Sequence, residues 1–206
     1  EINEVLVATD DERIRAVVEA AGGRAVMTSP DLLSGTDRIA AALGERECDA
    51  VVNVQGDEPF MRPETVSAAI RALLEDETCD VSTACAPIRD RETFENPAAV
   101  KVVRGEGDTA LYFSRAPIPS AARLGSAEIA EPGFLWGYKH LGLYVYRPEA
   151  LRTFVTLPPS RLELREKLEQ LRFLEAGFRI RCVDTPYDSI GIDTPEDLER
   201  AAAMLR

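Results

Sequence analysis

Two carboxylates set the chemistry this sequence could perform. Asp57 closes the run Val51-Val52-Asn53-Val54-Gln55-Gly56-Asp57-Glu58-Pro59, where a short apolar stretch meets a glycine, two acids and a proline. That is the pattern of a buried strand that stops abruptly and presents oxygen ligands at its carboxyl end, the end at which open α/β sheets bind ligands. Asp193 follows the short piece Ser189-Ile190-Gly191-Ile192 and precedes a helix start at Thr194-Pro195. Two such acids suit Mg²⁺, which needs few protein ligands when phosphate oxygens supply the rest of its shell. A third stretch, Ser34-Gly35-Thr36-Asp37-Arg38, places hydroxyls, free backbone N–H groups and a guanidinium at a helix start, where a base, ribose or phosphate can be read. Each feature also has a plainer reading: a surface turn at Asp57, a helix cap with Arg38 on the solvated face. His140, the one histidine, and Gln170, a polar residue inside the apolar stretch 168–174, are open in the same way between structural and ligand-facing roles.

The elements that must position these groups alternate from the start. Residues 4–10 read as a strand, Asp10 or Asp11 as the cap of a helix with Ile14, Val17 and Val18 on one face, Gly22-Gly23 as its end, and 25–28 as a second strand. Ser34 or Thr36 caps the next helix, 51–54 is a strand, Pro63 opens a helix, and 80–87 is a further strand. From Ala99 the rhythm changes. Runs 99–103 and 109–113 flank Arg104-Gly105-Glu106-Gly107-Asp108, which predicts a hairpin, and 120–133 reads as a mobile excursion with one short helix. Residues 138–148 form a strong strand, 149–154 a short helix, 161–176 one long amphipathic helix stopped by Gly177, and 178–183 a strand. The last helix starts with Thr194 as cap and Pro195 first.

Composition narrows the partners. The 206 residues, 45% hydrophobic, can bury the core of a single domain. Twenty-four Lys and Arg against 36 Asp and Glu leave a net charge of −12, and no basic run is long enough to track a phosphate backbone, so no nucleic acid is expected. Cys48, Cys79, Cys85 and Cys182 have neither C-x-x-C nor zinc spacing and read as free thiols of a cytoplasmic protein. Without an apolar run of transmembrane length or a charged-then-apolar leader, no membrane insertion is expected.

Six motifs in order carry a resemblance. Residues 53–59 and 34–38, together with Phe113-Ser114-Arg115-Ala116-Pro117-Ile118-Pro119, His140-Leu141-Gly142-Leu143-Tyr144, Leu168-Glu169-Gln170-Leu171-Arg172 and 191–198, resemble the 3-deoxy-manno-octulosonate cytidylyltransferases, or CMP-Kdo synthetases. The resemblance implies one Rossmann-like nucleotidyltransferase domain over 1–206, with a predominantly parallel mixed sheet flanked by helices. Within it, 99–148 would form a sugar-side and dimerisation excursion. It further implies a homodimer in which CTP and the anionic 2-keto sugar acid Kdo give CMP-Kdo and pyrophosphate, the product feeding lipopolysaccharide biosynthesis. By the same resemblance Asp57 and Asp193 would be catalytic and hold Mg²⁺, while Ser34, Gly35, Arg38 and Gln55 would surround the nucleotide. Arg115, His140, Tyr144 and Gln170 would line the sugar side, Glu169 supporting that wall, with arginine and histidine as donors to the sugar carboxylate.

One departure accompanies it. The family begins with a strand and a basic, glycine-bearing phosphate loop, and no counterpart precedes Glu4 here. A cytidylyltransferase for a sialic acid or an amino analogue of Kdo shares the chemistry and would differ in the wall from Arg115 to Tyr144. A glycosyltransferase would use an Asp-x-Asp cluster, absent as such, and a non-catalytic nucleotide-binding or dimerisation module is the remaining alternative.

Overall fold

In the computed structural model of the protein, which describes residues 2–32, 34–188, 191–192 and 194–204, glycines and prolines punctuate the chain much as the sequence predicts. Strand β1 (Val7–Thr9), helix α1 (Glu12–Ala20) and strand β2 (Ala25–Met27) come first. The Asp11 side chain caps α1 by accepting from the Arg13 backbone N–H, and Gly22, at φ 81°, turns the chain beyond it. Ser34, rather than Thr36, caps α2 (Gly35–Leu43). Strand β3 (Val51–Val54) leads to α3 (Pro63–Glu75), with its proline where no N–H is needed, and then to β4 (Val81–Ile88). After α4 (Arg91–Glu95), β5 (Lys101–Arg104) and β6 (Ala110–Ser114) form the expected antiparallel hairpin. The excursion carries one short helix, α5 (Ser126–Ile129). Strand β7 (Gly137–Tyr146) and helix α6 (Pro148–Phe154) follow, then α7 (Arg161–Glu166), α8 (Gln170–Glu175), β8 (Ile180–Asp184) and α9 (Pro195–Met204). Around Asp193, residues 191–192 are irregular rather than a strand, while 189, 190 and 193 lie outside the described residues.

Strand β7 organises a mixed six-stranded sheet. It pairs antiparallel with β3, with β4 along almost its whole length, and with β5 at Tyr138 and Lys139; β8 adds parallel to β4 and β6 antiparallel to β5. Strands β3, β4, β5 and β8 therefore run one way, as in a predominantly parallel sheet, but β7 threads between them in the opposite sense. Four of the six strand pairings among the described residues are antiparallel, three of them made by β7 and the fourth by the β5–β6 hairpin. The parallel pair β1–β2 is a separate two-stranded sheet.

Period-2 alternation along β7 divides the core. Leu141, Leu143 and Val145 pack with Val66, Ala69, Ile70 and Leu73 of α3, whereas Tyr144 and Tyr146 pack with Phe154, Leu171 and Phe173 from α6 and α8. Fully burying each large apolar side chain contributes about 1.5–3 kcal/mol. His140 shares the second face, its ring 5.3 Å from that of Tyr144. The face that carries His140 and Tyr144 is thus the one covered by α8, where Gln170 sits.

The single long helix expected over 161–176 does not form. It breaks between α7 and α8 at Lys167, which adopts a left-handed conformation (φ 56°, ψ 49°). Leucine spacing continues across the break, so the sequence pattern does not reveal it, and the cause lies elsewhere in the chain: Arg115 donates from Nε to the Glu166 carbonyl at 3.0 Å and from Nη2 to the Lys167 carbonyl at 3.5 Å. Those carbonyls would otherwise be the unsatisfied acceptors of a helix end. A buried ion pair between Glu163 and Arg172 joins the two short helices across the break.

Candidate active site

The end of β3, the first turn of α2, the entry half of β7 and the start of α8 converge on a cavity of about 1030 Å³, bounded on another side by Leu6, Val7 and Ala8 of the β1 segment. Of the four residues expected around a nucleotide, Gly35, Arg38 and Gln55 line it. Ser34 does not, because its hydroxyl is committed to capping α2: it accepts from the Asp37 N–H at 3.1 Å and donates to the Asp37 carboxylate at 2.8 Å. All five residues expected on the sugar side, Arg115, His140, Tyr144, Glu169 and Gln170, line the cavity. So does Asp57, while Asp193 lies outside the described residues.

On the α2 side, the Glu169 carboxylate accepts from the backbone N–H groups of Gly35 at 3.3 Å and Thr36 at 3.4 Å. An anion at this helix start is favoured by the dipole and links the two walls of the cavity directly. Arg38 reaches back to the β1–α1 junction, with Nη2 at 3.0 Å from Asp10 Oδ2 and Nη1 at 2.5 Å from the Thr28 hydroxyl. Behind them sits the Tyr146 phenol, whose ionisation burial pushes well up, with Thr36 and Asn53 lining the same cavity.

On the opposite wall, Arg115 is anchored from several directions. Its backbone N–H donates to Glu166 Oε2 at 3.0 Å, and its carbonyl accepts from Lys101 Nζ at 2.7 Å. Lys101 is fully buried; burial lowers its pKa, and the Asn96 and Ala99 carbonyls complete its donors' needs. Burial raises the Glu166 pKa, but bonds from the Arg115 N–H, Ser114 and Tyr112 outweigh it and hold the carboxyl below its usual range. His140 is 9% exposed, and burial pulls its pKa down to about 3, which keeps the ring neutral near pH 7. Gln170 is 4% exposed and its amide has no hydrogen-bond partner among the described residues, so its polar end is available to a ligand in the cavity.

For magnesium, no cluster of three potential ligating side chains occurs among the described residues. The donor set nevertheless fits. Asp57 is exposed at the end of β3, and its carbonyl accepts from the Ile192 N–H at 2.8 Å, tying the segment before α9 to this end of the strand. An open carboxylate beside room for a polyphosphate is what Mg²⁺ requires, because phosphate and water oxygens complete its octahedron.

Sequence reasoning missed several lining residues. Lys139 and Asp188 form an ion pair at 2.7 Å, and Arg200 and Asp197 of α9 also reach the cavity. No local pattern marks Lys139 or Asp188, since their pairing depends on how β7 and the segment after β8 meet. Asn53 lay inside the motif, and the polar residue within an otherwise apolar strand was its signal.

The cytidylyltransferase family profile matches residues 1–180. Over 99% of its length the chain is 45% identical to the 3-deoxy-manno-octulosonate cytidylyltransferase of Geobacter metallireducens, covering 82% of that protein. It is 48% identical to the enzyme of the same name from Syntrophobacter fumaroxidans, covering 80% of it. Among solved structures, CMP:2-keto-3-deoxy-manno-octonic acid synthetase complexed with CTP superposes with a TM-score of 0.89 at 40% identity, over 99% of this chain and 81% of that one. A glucose-1-phosphate thymidylyltransferase from Bacillus anthracis shares the fold at a TM-score of 0.61 and 13% identity. The chain belongs to the cytidylyltransferase family.

Proposed function

We propose that this protein is a Mg²⁺-dependent 3-deoxy-manno-octulosonate cytidylyltransferase that converts CTP and Kdo to CMP-Kdo and pyrophosphate. The observation that carries this reading is the 40% identity and close superposition over nearly the whole chain with a synthetase that holds CTP. The cavity supports it chemically, with a helix start and the end of β3 on one wall and a cluster of Arg115, His140, Tyr144 and Gln170 on the other.

CTP lies along the first wall, where Gly35, Arg38 and Gln55 meet the nucleotide and Ser34 keeps the helix start in shape. Kdo lies along the second, Arg115 facing its carboxylate and Tyr144 and Gln170 its hydroxyls. The anomeric oxygen of Kdo bonds to the α-phosphorus as the bond to the bridging oxygen breaks. Pyrophosphate leaves with that electron pair and the hydroxyl proton passes to solvent. The two walls hold two anions in line, which removes most of the entropic part of the barrier. Asp57 and Asp193 would hold Mg²⁺, which supplies charge neutralisation for the triphosphate.

We also infer a homodimer with 99–148 forming part of the contact; Leu111 on the edge strand β6, 60% exposed, supports that surface. A cytoplasmic location agrees with four free thiols, and no helix among the described residues is long and apolar enough to cross a membrane. Pyrophosphate release from CTP plus Kdo, with CMP-Kdo identified by mass, tests the reaction. Higher kcat/KM with a sialic acid or an amino analogue of Kdo would reassign the sugar, and nucleotide binding without turnover would point to a non-catalytic module.

A further inference from the structure

The longest strand of the sheet is irregular at one place, and that place supports His140. Strands β4 and β7 pair in register from Val81↔Tyr146 to Thr83↔Tyr144, and the ladder resumes at Ala84↔Leu141, leaving Gly142 and Leu143 without β4 partners. Such a bulge re-aims side chains and obliges freed backbone groups to find other partners. The Leu143 carbonyl accepts from the Thr83 hydroxyl at 2.6 Å, and the same hydroxyl oxygen lies 2.9 Å from His140 Nε2.

A hydroxyl has one proton. Committed to the Leu143 carbonyl, it leaves Thr83 Oγ1 with only lone pairs for the ring, so Nε2 must be the nitrogen that carries a proton and donates. A neutral ring with a protonated Nε2 has a bare Nδ1. No described residue bonds to Nδ1, and the buried side-chain nitrogens and oxygens without partners among the described residues are Nε and Nη1 of Arg104. Nδ1 therefore keeps access to the cavity that His140 lines. Phe113, edge-on at 5.0 Å, and Tyr144, at 5.3 Å, hold the ring plane between them.

We propose that Thr83 is a positioning residue that locks His140 as the Nε2–H tautomer, so that Nδ1 accepts a hydrogen bond from a hydroxyl of the sugar acid. This rests on the reading of the cavity as a sugar-acid site, and it changes the expected role of His140 from carboxylate donor to hydroxyl acceptor. A neutral histidine of this tautomer offers its substrate a lone pair, which a carboxylate repels and a hydroxyl satisfies. The sugar carboxylate is left to Arg115, and the histidine contributes discrimination in favour of ligands with a hydroxyl at that point, because a ligand without one leaves an acceptor unpaired.

The single histidine makes the test direct, since ¹⁵N-histidine labelling of the whole chain gives one imidazole. Long-range ¹H–¹⁵N spectra should show a protonated Nε2 and a bare Nδ1 between pH 6 and 8, and saturating Kdo should shift Nδ1 far more than Nε2. Thr83→Ser, which keeps the hydroxyl, should preserve the tautomer and the kinetics. Thr83→Val should mix the tautomers and raise the KM for Kdo about tenfold, with the KM for CTP within about twofold. Matched thermal melts of the three proteins separate this split from a loss of fold. An Nδ1–H tautomer in an active wild-type chain overturns the lock, and an Nδ1 signal unmoved by saturating Kdo overturns the acceptor role. A chain that uses no sugar acid yet keeps the Nε2–H tautomer overturns the proposed function and the assigned ligand, leaving the Thr83–His140 lock standing.

Discussion

Arg115 and Glu166 clasp each other twice, the Arg115 N–H donating to the Glu166 carboxylate and the Arg115 Nε to the Glu166 carbonyl, both at 3.0 Å. The clasp fixes the helix break that places Glu169 and Gln170. Arg115→Ala should lower unfolding stability by about 2 kcal/mol, the scale of a lost charged hydrogen bond plus an orphaned carbonyl. Arg115→Lys should recover little of it, because an ammonium cannot span two carbonyls as a guanidinium does. Urea unfolding of both variants measures this, and equal stability to wild type would show that the break needs no clasp.

Asp57 is exposed and its carboxylate has no hydrogen-bond partner among the described residues, so Asp57→Asn should leave stability within about 0.5 kcal/mol. Turnover should fall a hundredfold or more, the usual effect of removing a main charge-stabilising group. Steady-state rates across a magnesium titration decide it; wild-type turnover at limiting magnesium would remove Asp57 from the metal site.

Gln170→Ala deletes a buried amide that has no hydrogen-bond partner among the described residues. The KM for Kdo should rise about tenfold while CTP affinity by calorimetry stays within a few fold. Equal weakening of both ligands would place Gln170 on the nucleotide wall instead.

His140 makes stability depend on acid in a defined window. Burial holds its folded pKa near 3, below the ordinary 6.5 of the unfolded chain. Between those values the unfolded state binds the proton and the native state does not, so stability falls as pH drops through the window, by up to about 1.4 kcal/mol per pH unit. Denaturant titrations of wild type and His140→Asn from pH 7 to pH 4 should therefore converge towards acid, and parallel curves would refute the depressed pKa.

Glu163 and Arg172 are both buried, with side-chain exposures of 10% and 6%. Glu163→Ala should cost about 3–5 kcal/mol by leaving Arg172 charged and unpaired, whereas replacing both with apolar residues of similar volume should recover most of that loss. Melting curves of the single and double variants test the difference.

Much of this was legible locally. Pro63 and the Thr194-Pro195-Glu196-Asp197 run marked helix starts, the latter now a reciprocal pair of bonds between Thr194 and Asp197, and Gly22 and Gly177 marked helix ends. Motif positions at the end of β3 and in β7 converged on one cavity because β3 pairs antiparallel with β7, setting Asn53 opposite Tyr144 and Val54 opposite Leu143. The rest depends on partners distant in sequence. The break at Lys167 is made by Arg115, the bulge in β7 shows only against β4, and Ser34 could cap a helix or touch a ligand until its proton had a destination.

Strand β7 has a consequence for the time order of synthesis. Val51 pairs with Tyr146 and Val54 with Leu143, and among the described residues β7 is the strand with which β3 pairs, so that pairing waits until β7 leaves the ribosome. At ordinary elongation rates that wait is on the order of ten seconds. During it the edge of Val51-Val52-Asn53-Val54 that β7 will cover is unpaired and open to pairing with other nascent chains. The strand that carries both His140 and Tyr144 is thus also the one whose emergence covers this edge of β3, which ties assembly of the cavity to the loss of one pairing hazard, while the outer edge of β4 waits for β8.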